Sequence, residues 1–168
     1  LAIVALGVLG NLEEYDQLYF ELVSLPVAMF GIMAFLPSII SAFVEGNSFR
    51  LKNKPWAFFV LPLLSGIFFL LTGLIINMPS IIFLIMGYII ISPLNVLGEA
   101  FIQKEINGNN RATIISVVNF SKHLMGILFY VLFAIIISLF ELSGIYLTTS
   151  IILFCFALYS IYIKFKIK

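Results

Sequence analysis

The sequence predicts an all-α membrane protein that crosses the bilayer six times. Three observations carry that reading. The first is the shortage of polar residues. Of 168 residues, 62% are hydrophobic and 10% are charged, whereas a soluble domain is about half apolar and about a quarter charged. A mean hydropathy of +1.19 agrees. The second is the length of the apolar runs. They are continuous over about twenty residues, which suits a helix and not the alternating strands of a membrane barrel. In lipid the helix satisfies every backbone N–H and C=O within the spanning segment. The third is the placement of the basic residues, taken up below.

Six spans follow in order. The first runs from Leu1 to about Phe20, apolar to Leu12 and polar after it. The second covers Leu22 to Val44, the third Trp56 to Ile76, and the fourth Ser80 to Ile102. The fifth covers Ala112 to Phe140 and the sixth Ile145 to Ile163. Turn chemistry separates the later spans: Glu45 to Pro55, Met78-Pro79, Asn107-Gly108-Asn109-Asn110, and Ser143-Gly144. The connections are short, so sequential helices run antiparallel.

Arg50, Lys52 and Lys54 lie between spans two and three, Lys104 and Arg111 between four and five, and Lys164, Lys166 and Lys168 after six. The remaining connections hold no Lys or Arg. Lys and Arg of short loops stay in the cytoplasm, and with six spans all three basic segments fall on one side. Both termini are then cytoplasmic, Arg50 and Arg111 sit on cytoplasmic loops, and the acidic stretch Glu13–Glu21 is outside. Trp56, Tyr19 and Tyr162 fall near interfaces, where amphipathic rings are favoured.

Polar groups are unevenly shared. Spans three and six carry only scattered hydroxyls (Ser65, Thr72, Thr148, Thr149, Ser150, Ser160), which can bond back to their own helix carbonyls. Such helices suit a lipid-facing position. On span four, Tyr88, Ser92, Asn95, Glu99 and Gln103 recur at helical spacing and share one face. On span five, Ser116, Asn119, His123, Gly126 and Tyr130 do the same, with Lys122 beside His123. The end of span one adds Asn11, Glu14, Gln17 and Glu21.

A charge at the bilayer centre costs about 2.5–3.5 kcal/mol on insertion scales, so Glu99, Lys122 and His123 need a watery cavity or a partner. At 1.5 Å per residue Glu99 lies about 6 Å deep and Lys122 about 15 Å deep. A snorkelling lysine can close that gap, which predicts a Glu99–Lys122 salt bridge. His123 is a candidate proton carrier, since imidazole titrates near neutrality, or a neutral interhelical hydrogen-bonding group. Pro93 interrupts the span-four stripe and predicts a kink. The cluster Glu13-Glu14-Tyr15-Asp16-Gln17 is expected to be a solvated outer helix end, because positions 13, 14 and 16 share no one helix face. No metal site, cofactor or catalytic residue is expected. The single cysteine, Cys155, makes no intrachain disulfide and reads as a small buried or lipid-facing side chain. The charges are scattered in loops, which gives nucleic acid no basic face.

Polar residues on the first, fourth and fifth helices, with the third and sixth nearly blank, resemble one half of a major facilitator superfamily transporter. Arg111-Ala112-Thr113-Ile114-Ile115-Ser116 followed by Val117-Val118-Asn119 is similar to the cytoplasmic start of that family's eleventh helix. Asn11 to Gln17 looks like the outer part of the seventh. Glu45 to Lys54 looks like the degenerate second copy of the basic loop, though no Asp precedes Arg50 and no Gly-Arg-Arg run follows it. The resemblance covers essentially the whole chain as a C-terminal half of a twelve-helix fold. It implies an N-terminal six-helix half that is missing here, in keeping with a first residue that is Leu rather than Met. It also implies a small-solute site near the midplane between the halves, and access that alternates as one half rocks against the other. The implied cavity face holds Gln17, Tyr88, Asn95, Asn119 and His123, with Glu99 and Lys122 as a cytoplasmic-side charge pair or coupling site and the proton as candidate coupling ion.

Two other functions fit the residues less fully. A complete six-span membrane subunit or interaction protein needs a native start at or just before Leu1. A membrane-embedded enzyme needs convergent acid–base groups at one interface. The outer acidic cluster is the one candidate for that, and no His or Asp from another outer loop faces it. No charged n-region precedes the first apolar run, so no cleavable signal peptide is expected. Usage rich in Ile, Asn and Lys points to an AT-rich prokaryotic genome, hence to a multi-pass protein of the cell membrane.

Overall fold

The computed structural model describes residues 12–52, 54–105 and 111–166, with side chains described for all of these except 101, 102, 104, 105, 111 and 163–166. The first part of span one, including Asn11, lies outside the described residues, as do the turn 107–110 and Lys168. After a 3-10 turn, Glu13–Tyr15, the helices are α1 (Asp16–Leu22), α2 (Phe30–Gly46), α3 (Ala57–Leu74), α4 (Ile81–Ile91), α5 (Pro93–Glu105), α6 (Arg111–Phe140) and α7 (Ser143–Lys166). No strand occurs among the described residues.

Five stretches are long and apolar enough to cross a membrane: Val27–Gly46, Ala57–Leu74, Met78–Ala100, Ala112–Phe140 and Ser143–Tyr162. They coincide with the expected spans two to six. Their ends differ from expectation where backbone chemistry intervenes. Span two starts later than Leu22, because α1 closes at Ser24, whose φ is 58°. The Leu25 N–H there returns to the Phe20 carbonyl at 2.9 Å in a Schellman-type turn, and Pro26 follows. Span six starts earlier than Ile145. The chain reverses at Glu141, φ 60°, so Ser143 and Gly144 form the first turn of α7 rather than the break.

The expected kink in span four falls at Ser92, between α4 and α5, where the backbone keeps helical angles and Met78–Ala100 remains one span. Pro93 cannot donate to the Ile89 carbonyl. The Ser92 hydroxyl donates to that carbonyl instead, at 3.2 Å. At the other end of the span, Asn77 caps the helix: its side chain accepts from the Ser80 N–H at 3.0 Å in a capping box, with Pro79 in the first turn.

Spans three and six pack on each other and leave an apolar face exposed, with Leu63, Ile67, Ile151 and Leu158 on it. They form the main packing seam of the chain, α3 against α7. The reason lies in small residues on α3. Gly66 and Gly73 sit where a Cβ would come within 2.7 Å of the Phe154 ring and 2.8 Å of Leu147. Buried Ser65 and Thr72 flank them. In lipid, where apolar burial gives little drive, such close backbone approach is what holds helices together. Thr72, Ser150 and Ser160 do bond back to their own helices. Ser65 instead reaches across to the Gly87 carbonyl of α4 at 2.9 Å.

The short segment from Leu12 to Val23 is the hub. Leu12, Tyr19, Phe20 and Val23 are buried. Tyr15 stacks edge-on against Phe133 of α6, Phe20 against Phe30 at the start of α2, and Tyr19 against Tyr146 of α7. Tyr19 is therefore an interior residue, not the interfacial ring its position suggests. Its hydroxyl donates within a small network to the Thr72 carbonyl at the end of α3 and meets the Ser80 hydroxyl at the start of α4.

Candidate functional site

A cleft of about 560 Å³ runs between the hub segment, α2 and α4. Its α2 wall extends from Phe30 to Glu45, nearly the length of that helix. Gln17, Phe20 and Tyr88 line it, together with Met33, Ala34, Pro37 and Ser38 on α2. Four carboxylates also line it, from Glu13, Glu14, Asp16 and Glu45, and no Lys, Arg or His among the described residues does. The volume falls in the range of small-molecule sites, and the lining mixes apolar and aromatic side chains with the four carboxylates.

The structure does not gather the expected cavity residues into one place. Gln17 and Tyr88 lie on this cleft. Asn119 lies in a separate depression of about 160 Å³ with Glu99, Gln103 and Lys122. Asn95 and His123 are exposed, line neither depression, and their side chains have no hydrogen-bond partner among the described residues. The stripe on span four crosses two environments: Tyr88 is half-buried and bonded to Asp16 of the hub, whereas Asn95 and Glu99 are exposed. On α6, Ser116, Asn119, His123 and Tyr130 are exposed, while Gly126 is buried.

The expected charge pair is present. Lys122 Nζ lies 3.0 Å from Glu99 Oε1 and joins α6 to α5. Arg50 is exposed on the turn after α2, its guanidinium 5.8 Å from the ring of its neighbour Phe49. Arg111 opens α6, and its side chain lies outside the described residues.

The acidic cluster is a solvated helix end only in part. Glu13 and Glu14 are exposed but face the cleft. Asp16 lines the cleft too, and also reaches into the helices. Its Oδ1 accepts from the Tyr88 hydroxyl of α4 at 2.9 Å and from the Tyr146 hydroxyl of α7 at 3.4 Å. Sequence reasoning passed over Asp16 and Tyr146 because it followed the polar repeat Glu14, Gln17, Glu21. The signal was on the opposite face. Leu12, Asp16, Tyr19 and Val23 form a core stripe at helical spacing with one carboxylate in it.

No group of three His, Cys, Asp or Glu among the described residues is placed to hold a metal ion. No protein-family model, curated protein or solved structure matches this chain. Fold and composition define a multi-pass α-helical membrane protein.

Proposed function

We propose that this chain is the C-terminal half of a secondary transporter of the major facilitator type, which moves a small solute by alternating access. The observation that carries the reading is the cleft. It is sized for a small molecule, walled by helices on three sides, and bears Gln17 and Tyr88 within a chain otherwise built of apolar helices. The helices with the least burial, α2 and α6, are the second and fifth spans. In the resembling family those helices face the central cavity and not the periphery. The exposed polar groups of α6, His123 among them, are then covered by an N-terminal six-helix half. Both termini lie in the cytoplasm and the chain sits in the cell membrane of a prokaryote. Because the lining carries carboxylates and no basic side chain, an anionic solute is disfavoured electrostatically.

The test is uptake of a panel of labelled solutes by the full-length protein in proteoliposomes under an imposed pH gradient. Gln17→Leu removes a polar lining group, and Ala34→Trp fills the cleft. Uptake by the wild type that is lost in both variants, with insertion unchanged, is the expected result. Uptake indifferent to both variants overturns the assignment of this cleft as the solute site. Parallel measurements on Glu99→Gln and His123→Ala report whether either side chain takes part in coupling.

A further inference from the structure

The carboxylate of Asp16 is set apart from the other acids of the cleft. Two phenol hydroxyls converge on one of its oxygens, from helices 72 and 130 residues away in sequence. It lies among buried Leu12, Tyr19 and Phe20 of the hub segment. No cation among the described residues pairs with it; the ion pair found there is the distant Lys122–Glu99. A carboxylate held by two hydroxyls from distant helices, with no counter-charge beside it, is a candidate functional group.

We propose that Asp16 is a proton-binding site that ties the first span to α4 and α7 when ionised and releases them when protonated. The chemistry selects a proton over a metal ion. Tyr88 and Tyr146 aim O–H donors at Oδ1, whereas a metal ion requires acceptor oxygens converging on one point, and no group of three His, Cys, Asp or Glu among the described residues is placed to hold one. The step is addition of a proton from cleft water to Oδ2; no other bond changes. A neutral carboxylic acid is a weaker acceptor than a carboxylate, because charge-assisted hydrogen bonds are the stronger ones. Protonation therefore loosens both phenol contacts together.

The titratable groups around Asp16 are known. Glu13 lies on its own segment, Tyr88 on α4 and Tyr146 on α7, and the Tyr146 ring also meets Tyr19. Glu14 and Glu45 share the cleft. From α6 the segment meets Phe133, and Tyr130 acts on Tyr15. None supplies positive charge. Tyr88 lines the cleft and bonds Asp16 at once, so protonation changes the wall that a solute meets. That consequence for transport rests on the transporter reading; the proton binding itself does not.

The experiment needs no solute. Infrared difference spectra of the purified full-length protein are recorded while pH is taken from mildly alkaline to mildly acidic, in H₂O and D₂O. A carboxylic C=O stretch is expected to grow on acidification and to be absent in Asp16→Asn. In Tyr88→Phe and Tyr146→Phe, which keep the carboxylate, the same band is expected to titrate at a displaced midpoint. A band that persists unchanged in Asp16→Asn overturns the proposal. If Asp16→Asn does not fold, a midpoint unmoved in both phenylalanine variants overturns it equally. Failure of every uptake assay leaves this readout standing, so the two proposals fail separately.

Discussion

Replacing Tyr19 by Phe removes one oxygen atom from the interior and leaves the ring in place. Tyr19 is fully buried, and its hydroxyl lies 3.1 Å from the Thr72 carbonyl. That carbonyl sits in the last turn of α3, where helix carbonyls lack an N–H four residues on. The neighbouring Leu71 carbonyl is served by the Ile75 N–H. Loss of the Tyr19 hydroxyl therefore strands an acceptor at Thr72, at a cost of about 1–3 kcal/mol. The Ser80 hydroxyl is not stranded, since it retains the Asn77 carbonyl. The edge contact with Tyr146, centroids 4.9 Å apart, survives as well. The sum stays below the roughly 3–5 kcal/mol of an aromatic truncated to alanine, which makes Tyr19→Ala the upper reference. The assay is reversible unfolding in mixed micelles with increasing SDS, followed by far-ultraviolet circular dichroism. A Tyr19→Phe protein within about 0.5 kcal/mol of wild type, an ordinary surface substitution, refutes the claim that this hydroxyl ties three helix ends together.

The remaining predictions concern packing, charge and backbone. Gly73→Leu places a side chain against Leu147 and the Ser143 carbonyl oxygen, which lies 3.1 Å from an added Cβ; the same unfolding assay should show a loss of about 1–3 kcal/mol. The Lys122 side chain is 23% exposed and that of Glu99 60%, so a double-mutant cycle on the pair should return a coupling of no more than about 1 kcal/mol. In the same system the charge-swapped double variant should insert better than either single swap. Glu141→Gly relaxes a left-handed residue at the α6–α7 turn and should raise stability by about 1 kcal/mol; a loss instead means the Glu141 side chain holds a contact.

How much of this was legible in the sequence depends on the scale of the pattern. Spans two to six could be read from composition, because apolar length is a summed property that survives errors at either end. The Glu99–Lys122 pair was also legible, because rise per residue and a flexible lysine stem set the reach. The site itself was only partly legible. Tyr88 and Gln17 were found, but Asn95 and His123 do not join them. A helix stripe gives spacing and not the neighbours that cover it, and the hub covers Tyr88 while leaving Asn95 exposed. Asp16 was misread as a solvated acid because its two tyrosine partners are far away in sequence, and no local spacing encodes them. The α3–α7 seam went unread for a related reason. In a soluble protein Gly66, Gly73, Ser65 and Thr72 would weaken a helix, whereas in lipid they mark its packing face.

The central claim is that the cleft is a solute path opened in turn to each side of the membrane. Ser38 tests it most directly. It lines the cleft eleven residues after Val27, about 16 Å down a helix that rises 1.5 Å per residue, and therefore near the bilayer midplane. A single cysteine at Ser38, with Cys155→Ser and other reactive cysteines removed, is exposed to a membrane-impermeant maleimide from one face of sealed vesicles and then from the other. Alternating access predicts labelling from both faces. Labelling from one face alone, or from neither, contradicts it.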